Sequence, residues 1–286
     1  MKPASEEAIE DFVARALTED LGGGDLTSEA TVPAEARARA RIVQKAPGVV
    51  SGLAVVAEAM RQCGVEHVDN LVVEGHWREQ VPAEVLVASG PARALLAAER
   101  VGLNFLGHLS GVATLTARFV AAVEGTGARI LDTRKTTPGL RALEKAAVAA
   151  GGGVNHRMGL YDAILIKENH VALAGGVAKA IYAAKQAQPE QPIEIECRDL
   201  EEVAYALGTG AERLLLDNMD VETLREAVRL RDENAGAGEG PTLEASGGVD
   251  LETVRPIAET GVDFISIGAL THSAPSLDFS LLLEQA

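Results

Sequence analysis

Glu212–Asp217, with the sequence ERLLLD, is the stretch from which the fold is read. An apolar run this short, ending on an acid and followed by a helical pattern, fits a strand covered on both faces. The same form recurs at Ala128–Asp132 (ARILD), Asp162–Lys167 (DAILIK), Pro192–Glu196 (PIEIE), Thr242–Ser246 (TLEAS) and Val262–Gly268 (VDFISIG). Between the runs lie stretches rich in Ala, Leu and Glu, expected as helices over Val171–Gln188, Asp199–Leu207, Val221–Asp232 and Leu251–Glu259. The polar strand ends stand at 132, 167, 196, 217, 246 and 268, which is 35, 29, 21, 29 and 22 residues apart, a spacing suited to βα units. No Gly-x-Gly-x-x-Gly follows a first strand, so an α/β barrel is favoured over a dinucleotide-binding sheet.

Such a barrel carries its active site at the C-terminal ends of its strands. Here those ends read Asp132-Thr-Arg134-Lys135, Lys167-Glu-Asn-His170, Glu196, Asp217-Asn218, Ser246-Gly-Gly248 and Gly268. Charges of both signs therefore converge on one mouth.

Upstream, Ala36–Gln44 alternates (ARARARIVQ) and Val65–Val73 and Glu84–Ser89 are short β-like runs, which suits a mostly antiparallel sheet with one wet face. Arg37, Arg39 and Arg41 share that face, toward solvent or a partner. Pro91–Leu109 and Thr114–Val123 read as two helices, and Gly236–Gly240 as a surface loop. The expected division is an N-terminal domain over residues 1–110, joined by the C-terminal segment 274–286, and a barrel over 111–273.

The chain has 286 residues and 29.8 kDa, enough for roughly two domains. Aromatic residues are only 3%, so the core must come from Ala, Leu, Val and Ile. Two cysteines, Cys63 and Cys197, argue against a disulfide framework and a four-ligand zinc site. Met1–Phe12 is acidic and lacks the apolar stretch of a signal peptide, and no uninterrupted apolar run approaches a bilayer span; a soluble, cytoplasmic protein is expected. A net charge of −16 argues against non-specific binding to nucleic acid or anionic membrane. Gly127–His170 nonetheless holds seven basic and four acidic residues, a local +3, read either as a solvated helix surface or as an anion site.

Ser246-Gly247-Gly248 and Gly268-Ala269 have the form of a barrel phosphate site, though a tight βα turn also explains paired glycines. Glu196 and Asp217, on adjacent strand ends, are either buried acids held by a basic side chain or a Mg²⁺ site shared with phosphate oxygens. Arg134, Lys135, His156, Arg157 and Lys167 form a complementary cationic set that suits a multiply charged anion. A lone strand-end lysine such as Lys167 is also a candidate Schiff-base nucleophile. His170 is read as a helix cap and Cys197 as packing.

Ile130–His170, ILDTRKTTPGLRALEKAAVAAGGGVNHRMGLYDAILIKENH, resembles the core signature of the quinolinate phosphoribosyltransferase family. Glu19–Ser28 (EDLGGGDLTS), Glu99–Thr114, Pro192–Cys197, Leu216–Asn218, Ser246–Val249 and Val262–Ser273 support it in order along the chain. Two departures are Ala146, where the family usually has an aromatic residue, and Gly107-His108, where a Gln-Arg-like pair is common. The resemblance implies an N-terminal open-faced α/β sandwich and an incomplete, seven-stranded α/β barrel, the six runs being completed by a short strand near Asn155–Met158. It implies a homodimer with Arg100 reaching across the interface. Quinolinate would be bound by Arg100, Thr133, Arg134, Lys135, His156, Arg157 and Lys167. Phosphoribosyl pyrophosphate would be bound by Glu196, Asp217, Ser246, Gly247, Gly248, Ile267, Gly268, Ala269 and His272, with Mg²⁺ on Glu196 and Asp217. Lys135, Lys167, Glu196 and Asp217 would be catalytic. The implied reaction makes nicotinate mononucleotide, pyrophosphate and CO₂ in de novo NAD biosynthesis. A same-fold paralogue associated with molybdenum transport, with another acceptor, stays open as an alternative, as does a Lys167-dependent aldolase or lyase.

Overall fold

The structure is a computed structural model and describes residues 6–234 and 240–285; most of the loop expected at Gly236–Gly240 lies outside the described residues. The chain forms two compact units. The first takes in Met1–Ala117, Thr136–Gly152 and Leu270–Ala286, and the second Arg118–Lys135 and Gly153–Ala269. The C-terminal segment from Leu270 onward thus falls with the N-terminal residues, and so does the stretch Thr136–Gly152. The helix Arg141–Ala150 packs with the first unit, burying Leu143, Ala147 and Val148. Its buried Glu144 accepts from His108 Nε2 at 2.8 Å and from Thr137 N at 3.0 Å, so the unusual His108 anchors this helix.

The first unit holds a four-stranded sheet in the order Phe279–Gln285, Arg37–Gln44, Ala83–Pro91, His67–Asn70, antiparallel throughout. Alternation sorts the second of these strands by face: Ala38, Ala40 and Ile42 are buried with Leu53, Val56, Met60, Leu86, Leu95 and Leu106. The opposite face carries the arginine row. Arg37 pairs with Glu66, and Arg41 with Glu84 and Glu284, all on the solvated side. The two helices expected over 91–123 are one, Ala92–Ala122. Gly111 does not break it, because it serves packing: a Cβ there would stand 2.2 Å from the Pro275 carbonyl oxygen. Among the described residues this is the helix long and apolar enough to cross a bilayer, and half of its most apolar 18-residue window is buried.

The second unit is built on a six-stranded parallel sheet in the order Arg129–Leu131, Phe264–Ser266, Thr242–Ser246, Arg213–Asp217, Ile193–Cys197, Ile164–Ile166. Every strand coincides with one of the apolar runs. The short strand expected near Asn155–Met158 is instead a single parallel bridge, Val154 to Leu131. The chain cannot continue the ladder there because the next residues turn back onto Asp132, whose carboxylate accepts from Asn155 Nδ2 and His156 N. The helix expected over Val171–Gln188 is two, Glu168–Ala174 and Val177–Ala187, interrupted where Gly175 adopts the left-handed conformation that ends a helix. The outward faces of the strands (Ile193, Ile195, Leu214, Leu216, Leu243, Ala245) are buried, as are Val203, Ala206, Leu224, Ala227 and Val254 on the helices. The inward faces are different, and they make the site.

Candidate active site

Alternation within the parallel strands aims a second set of residues inward: Glu194 and Glu196, Arg213, Leu215 and Asp217, Thr242, Glu244 and Ser246, Phe264 and Ser266. Register keeps this set in step, with Glu194 opposite Arg213, Glu196 and Glu244 opposite Leu215, and Ser246 opposite both Asp217 and Ser266. Of this set Glu196, Leu215, Asp217, Glu244, Ser246 and Ser266 line a cavity of about 190 Å³ together with Thr133, Arg134, Lys135, His156, Arg157, Leu165 and Lys167. One wall is cationic and the other carries Glu196, Asp217 and Ser246.

The cationic wall is held from below. Asp132, fully buried at its strand end, takes the His156 amide at 2.8 Å through Oδ1. Arg157 donates through Nη1 to the Ala163 carbonyl at 3.2 Å, and Asp162 closes the turn by accepting from the Met158 and Gly159 amides at 2.7 and 2.9 Å. Burial lowers the pKa of the Arg157 guanidinium, and the nearby charge of Arg134 lowers it further against the pull of Glu194 and Asp162. Two guanidiniums that repel in the free protein are stabilised when an anion lies between them.

The acidic wall is partly neutralised by the cationic one. Lys167 ion-pairs with Glu196, whose side chain is only 9% exposed. Asp217 accepts from its neighbour Asn218 Nδ2 at 2.8 Å. Asn218 has φ +54°, and its amide donates to the Ser246 carbonyl at 2.8 Å. This turn requires Gly247, at φ +104°, since a Cβ there would lie 2.1 Å from Asn218 Oδ1. Two carboxylates on adjacent strands, lining one cavity, are a donor set that a hard divalent cation accepts.

At the cavity's inner end lies a buried group that the apolar reading of the strands missed. His156 Nε2 is 2.9 Å from Glu194 Oε2 and 3.5 Å from Glu244 Oε2, and Arg213 Nη1 is 3.1 Å from the latter. Burial works to lower the His156 pKa, but its bond to Glu194 and the charges of Glu244 and Glu194 outweigh that and hold it above its ordinary value. Glu244 is pushed up to about 7, by burial first and then by the charge of Glu194, against His156, Ser266 and Arg213. Oε1 of each acid is buried without a hydrogen-bond partner. An unmet buried polar atom costs ~1–3 kcal/mol, so these acids are not placed for stability. The available signal was an acid in the middle of an otherwise apolar strand, twice.

Of the other expected site residues, Ile267 is buried, and Gly268 and Ala269 follow the last strand of the second unit. Arg100 and His272 belong to the first unit and are exposed there, and His272 Nδ1 is 2.6 Å from Ser273 Oγ. His170 Nδ1 accepts from the Lys167 amide at 2.9 Å and caps the helix Glu168–Ala174. Cys197 is buried, which with the charges of Glu202, Asp199 and Glu196 pushes its thiol up to about 12, far from a thiolate nucleophile.

Comparison with known proteins agrees with this architecture. Residues 25–110 and 112–282 match the N- and C-terminal domains of the family described as quinolinate phosphoribosyl transferase. A nicotinate-nucleotide pyrophosphorylase (carboxylating) of Mycobacterium leprae is 46% identical over 280 residues, covering 96% of this chain and 97% of that protein. A chloroplastic protein of the same name from Arabidopsis thaliana is 42% identical over 99% of this chain and 86% of its own length. The crystal structure of NadC from Streptococcus pyogenes superposes with a TM-score of 0.92 at 37% identity, covering all of both chains.

Proposed function

The chain belongs to the quinolinate phosphoribosyltransferase family, and from that membership we propose that it transfers phosphoribose from phosphoribosyl pyrophosphate to quinolinate, with loss of CO₂, in de novo NAD biosynthesis. The observation that carries the reading to this chain is the two-walled cavity, with cations on one side and strand-end carboxylates on the other.

Quinolinate carries two adjacent carboxylates on a flat ring. Arg134, Arg157 and Lys167 can hold both, which fixes the ring nitrogen toward the second substrate, and each such contact to a charged group is worth ~1.5–3 kcal/mol. The nitrogen lone pair forms a bond to C1 of the ribose as the C1–O bond breaks and pyrophosphate leaves with that electron pair. Positive charge develops on the ribose during this exchange, and Glu196 and Asp217 stabilise it. The new bond makes the ring nitrogen cationic. When the C2–carboxylate bond then breaks, CO₂ departs, the electron pair stays on C2 beside that charge, and a proton from solvent completes the product. No protein nucleophile is needed, and Lys167 contributes charge, paired with Glu196 until substrate arrives.

Glu196 and Asp217 would also hold Mg²⁺. When bound, this ion supplies neutralisation of the charge that collects on the departing pyrophosphate. Ser246, Gly247, Gly248, Ile267, Gly268, Ala269 and His272 would take the phosphates. The enzyme works as a cytoplasmic homodimer in which Arg100 completes the partner's quinolinate site; an exposed arginine on the largely apolar helix Ala92–Ala122 supports that role.

The test is a coupled assay for CO₂ and pyrophosphate. Release of both that needs quinolinate and Mg²⁺, and stops on chelation with EDTA, is expected. Turnover with another acceptor base but none with quinolinate would overturn the reading.

A further inference from the structure

Two acids stand behind His156 that none of the steps above employs. Glu194 Oε2 faces His156 Nε2 at 2.9 Å, while Glu244 Oε2 lies 3.5 Å from the same nitrogen and is itself tied to Arg213. On the other side of the ring, Nδ1 accepts the Arg157 amide at 2.7 Å. The partner of one imidazole nitrogen decides which nitrogen carries the proton. In the neutral ring, an acid on Nε2 keeps the proton there, and Nδ1 is left as an acceptor. The opposite tautomer would set an N–H against the Arg157 N–H.

Arg157 follows His156 directly, so the orientation of its backbone, and the point from which its guanidinium enters the cavity, depends on the state of that ring. Neighbouring strands show what the position would hold if only packing mattered. Leu165 is opposite Glu194 in register, and Leu215 opposite Glu244. Apolar residues thus fit this inward face, and replacing buried charges by them is commonly neutral or stabilising.

Resting on the functional reading above, we propose that Glu194, backed by Glu244, is a positioning residue: by accepting the Nε2–H of His156 it fixes the tautomer whose Nδ1 holds the Arg157 amide, and so aims Arg157 at quinolinate. Glu194 is not among the residues lining the cavity, and its hydrogen bond is made to the histidine.

The experiment joins kinetics to ¹⁵N NMR of histidine-labelled protein, with His156 assigned by its loss in His156→Asn. At a pH high enough for the ring to be neutral, the wild-type His156 is expected to carry its proton on Nε2, with Nδ1 unprotonated. Glu194→Leu should raise the KM for quinolinate by about tenfold or more, as loss of an outer partner does elsewhere, with kcat and the KM for phosphoribosyl pyrophosphate changed by less than about threefold. Glu194→Gln keeps an acceptor oxygen and should recover most of the loss. A neutral His156 that carries its proton on Nδ1 in the wild type, an equal rise in both KM values, or a quinolinate KM within about twofold of wild type in Glu194→Leu would overturn the proposal. If Glu194→Leu does not fold, the wild-type tautomer and the Glu194→Gln kinetics decide, an unrescued quinolinate KM in the latter counting against it. A wild-type chain that turns over no quinolinate refutes the functional reading instead, and the tautomer, read without substrate, still decides the state of the ring.

Discussion

In the antiparallel sheet, the charged half of the strand Arg37–Gln44 faces water, and Arg37 and Arg41 meet exposed glutamates. In the parallel sheet, the charged half of Ile193–Cys197 and Thr242–Ser246 faces inward, where Glu194 and Glu244 are buried around His156. The same period-two alternation operates in both. What differs is what lies on the far side, solvent in one case and a cavity in the other. Paired charges in water cost little and contribute little, so the first row tells nothing of chemistry. Buried acids are expensive, and a chain that keeps them is using them.

Four experiments would upset that contrast, and the first two should move activity most. Arg100→Ala and Lys167→Ala should each be inactive alone, yet regain activity when mixed, since a hybrid dimer keeps one intact site; no recovery despite confirmed subunit exchange would refute the shared site. Arg157→Ala should raise the KM for quinolinate by about 10–100-fold, one lost charge-assisted contact, while that for phosphoribosyl pyrophosphate changes little; equal losses would place Arg157 elsewhere.

The third concerns pH. The raised pKa of Glu244 means that the folded chain keeps a proton which the unfolded chain releases. Its contribution favours the folded state at low pH and is lost as pH rises from the ordinary carboxylate range through about 7. The Tm of Glu244→Gln minus that of wild type should therefore grow more positive between about pH 5 and pH 8. A difference flat across that range would show that Glu244 is not titrating there. The smallest effect is expected on the wet face, where Arg41→Ala should lower Tm by no more than ~2 °C and leave both KM values unchanged. A large change in either would mean that the arginine row has a role beyond solvation.

Much of this was legible before the structure. The strands of the parallel sheet announced themselves because runs such as ERLLLD are covered on both faces, and their polar ends marked the mouth of the site. The alternating ARARARIVQ gave the antiparallel strand and its wet face. Element breaks were harder. Gly111 looks like a helix stop but answers a close approach by Pro275, which no local pattern encodes. Val154 makes one bridge because Asp132 captures the chain beyond it, a tertiary effect. Glu194 and Glu244 were hidden by being read as part of apolar runs. Counting their parity with Glu196 and Ser246 would have put them on the site's side of the sheet.

The central claim is that the cationic wall grips a planar vicinal dicarboxylate, and a crystal structure with phthalate, the carbocyclic mimic of quinolinate, tests it most directly. Both carboxylates should lie within hydrogen-bond reach of Arg134, Arg157 and Lys167, with Lys167 drawn away from Glu196. Phthalate bound away from these three side chains, in a protein that turns over quinolinate, would contradict the account.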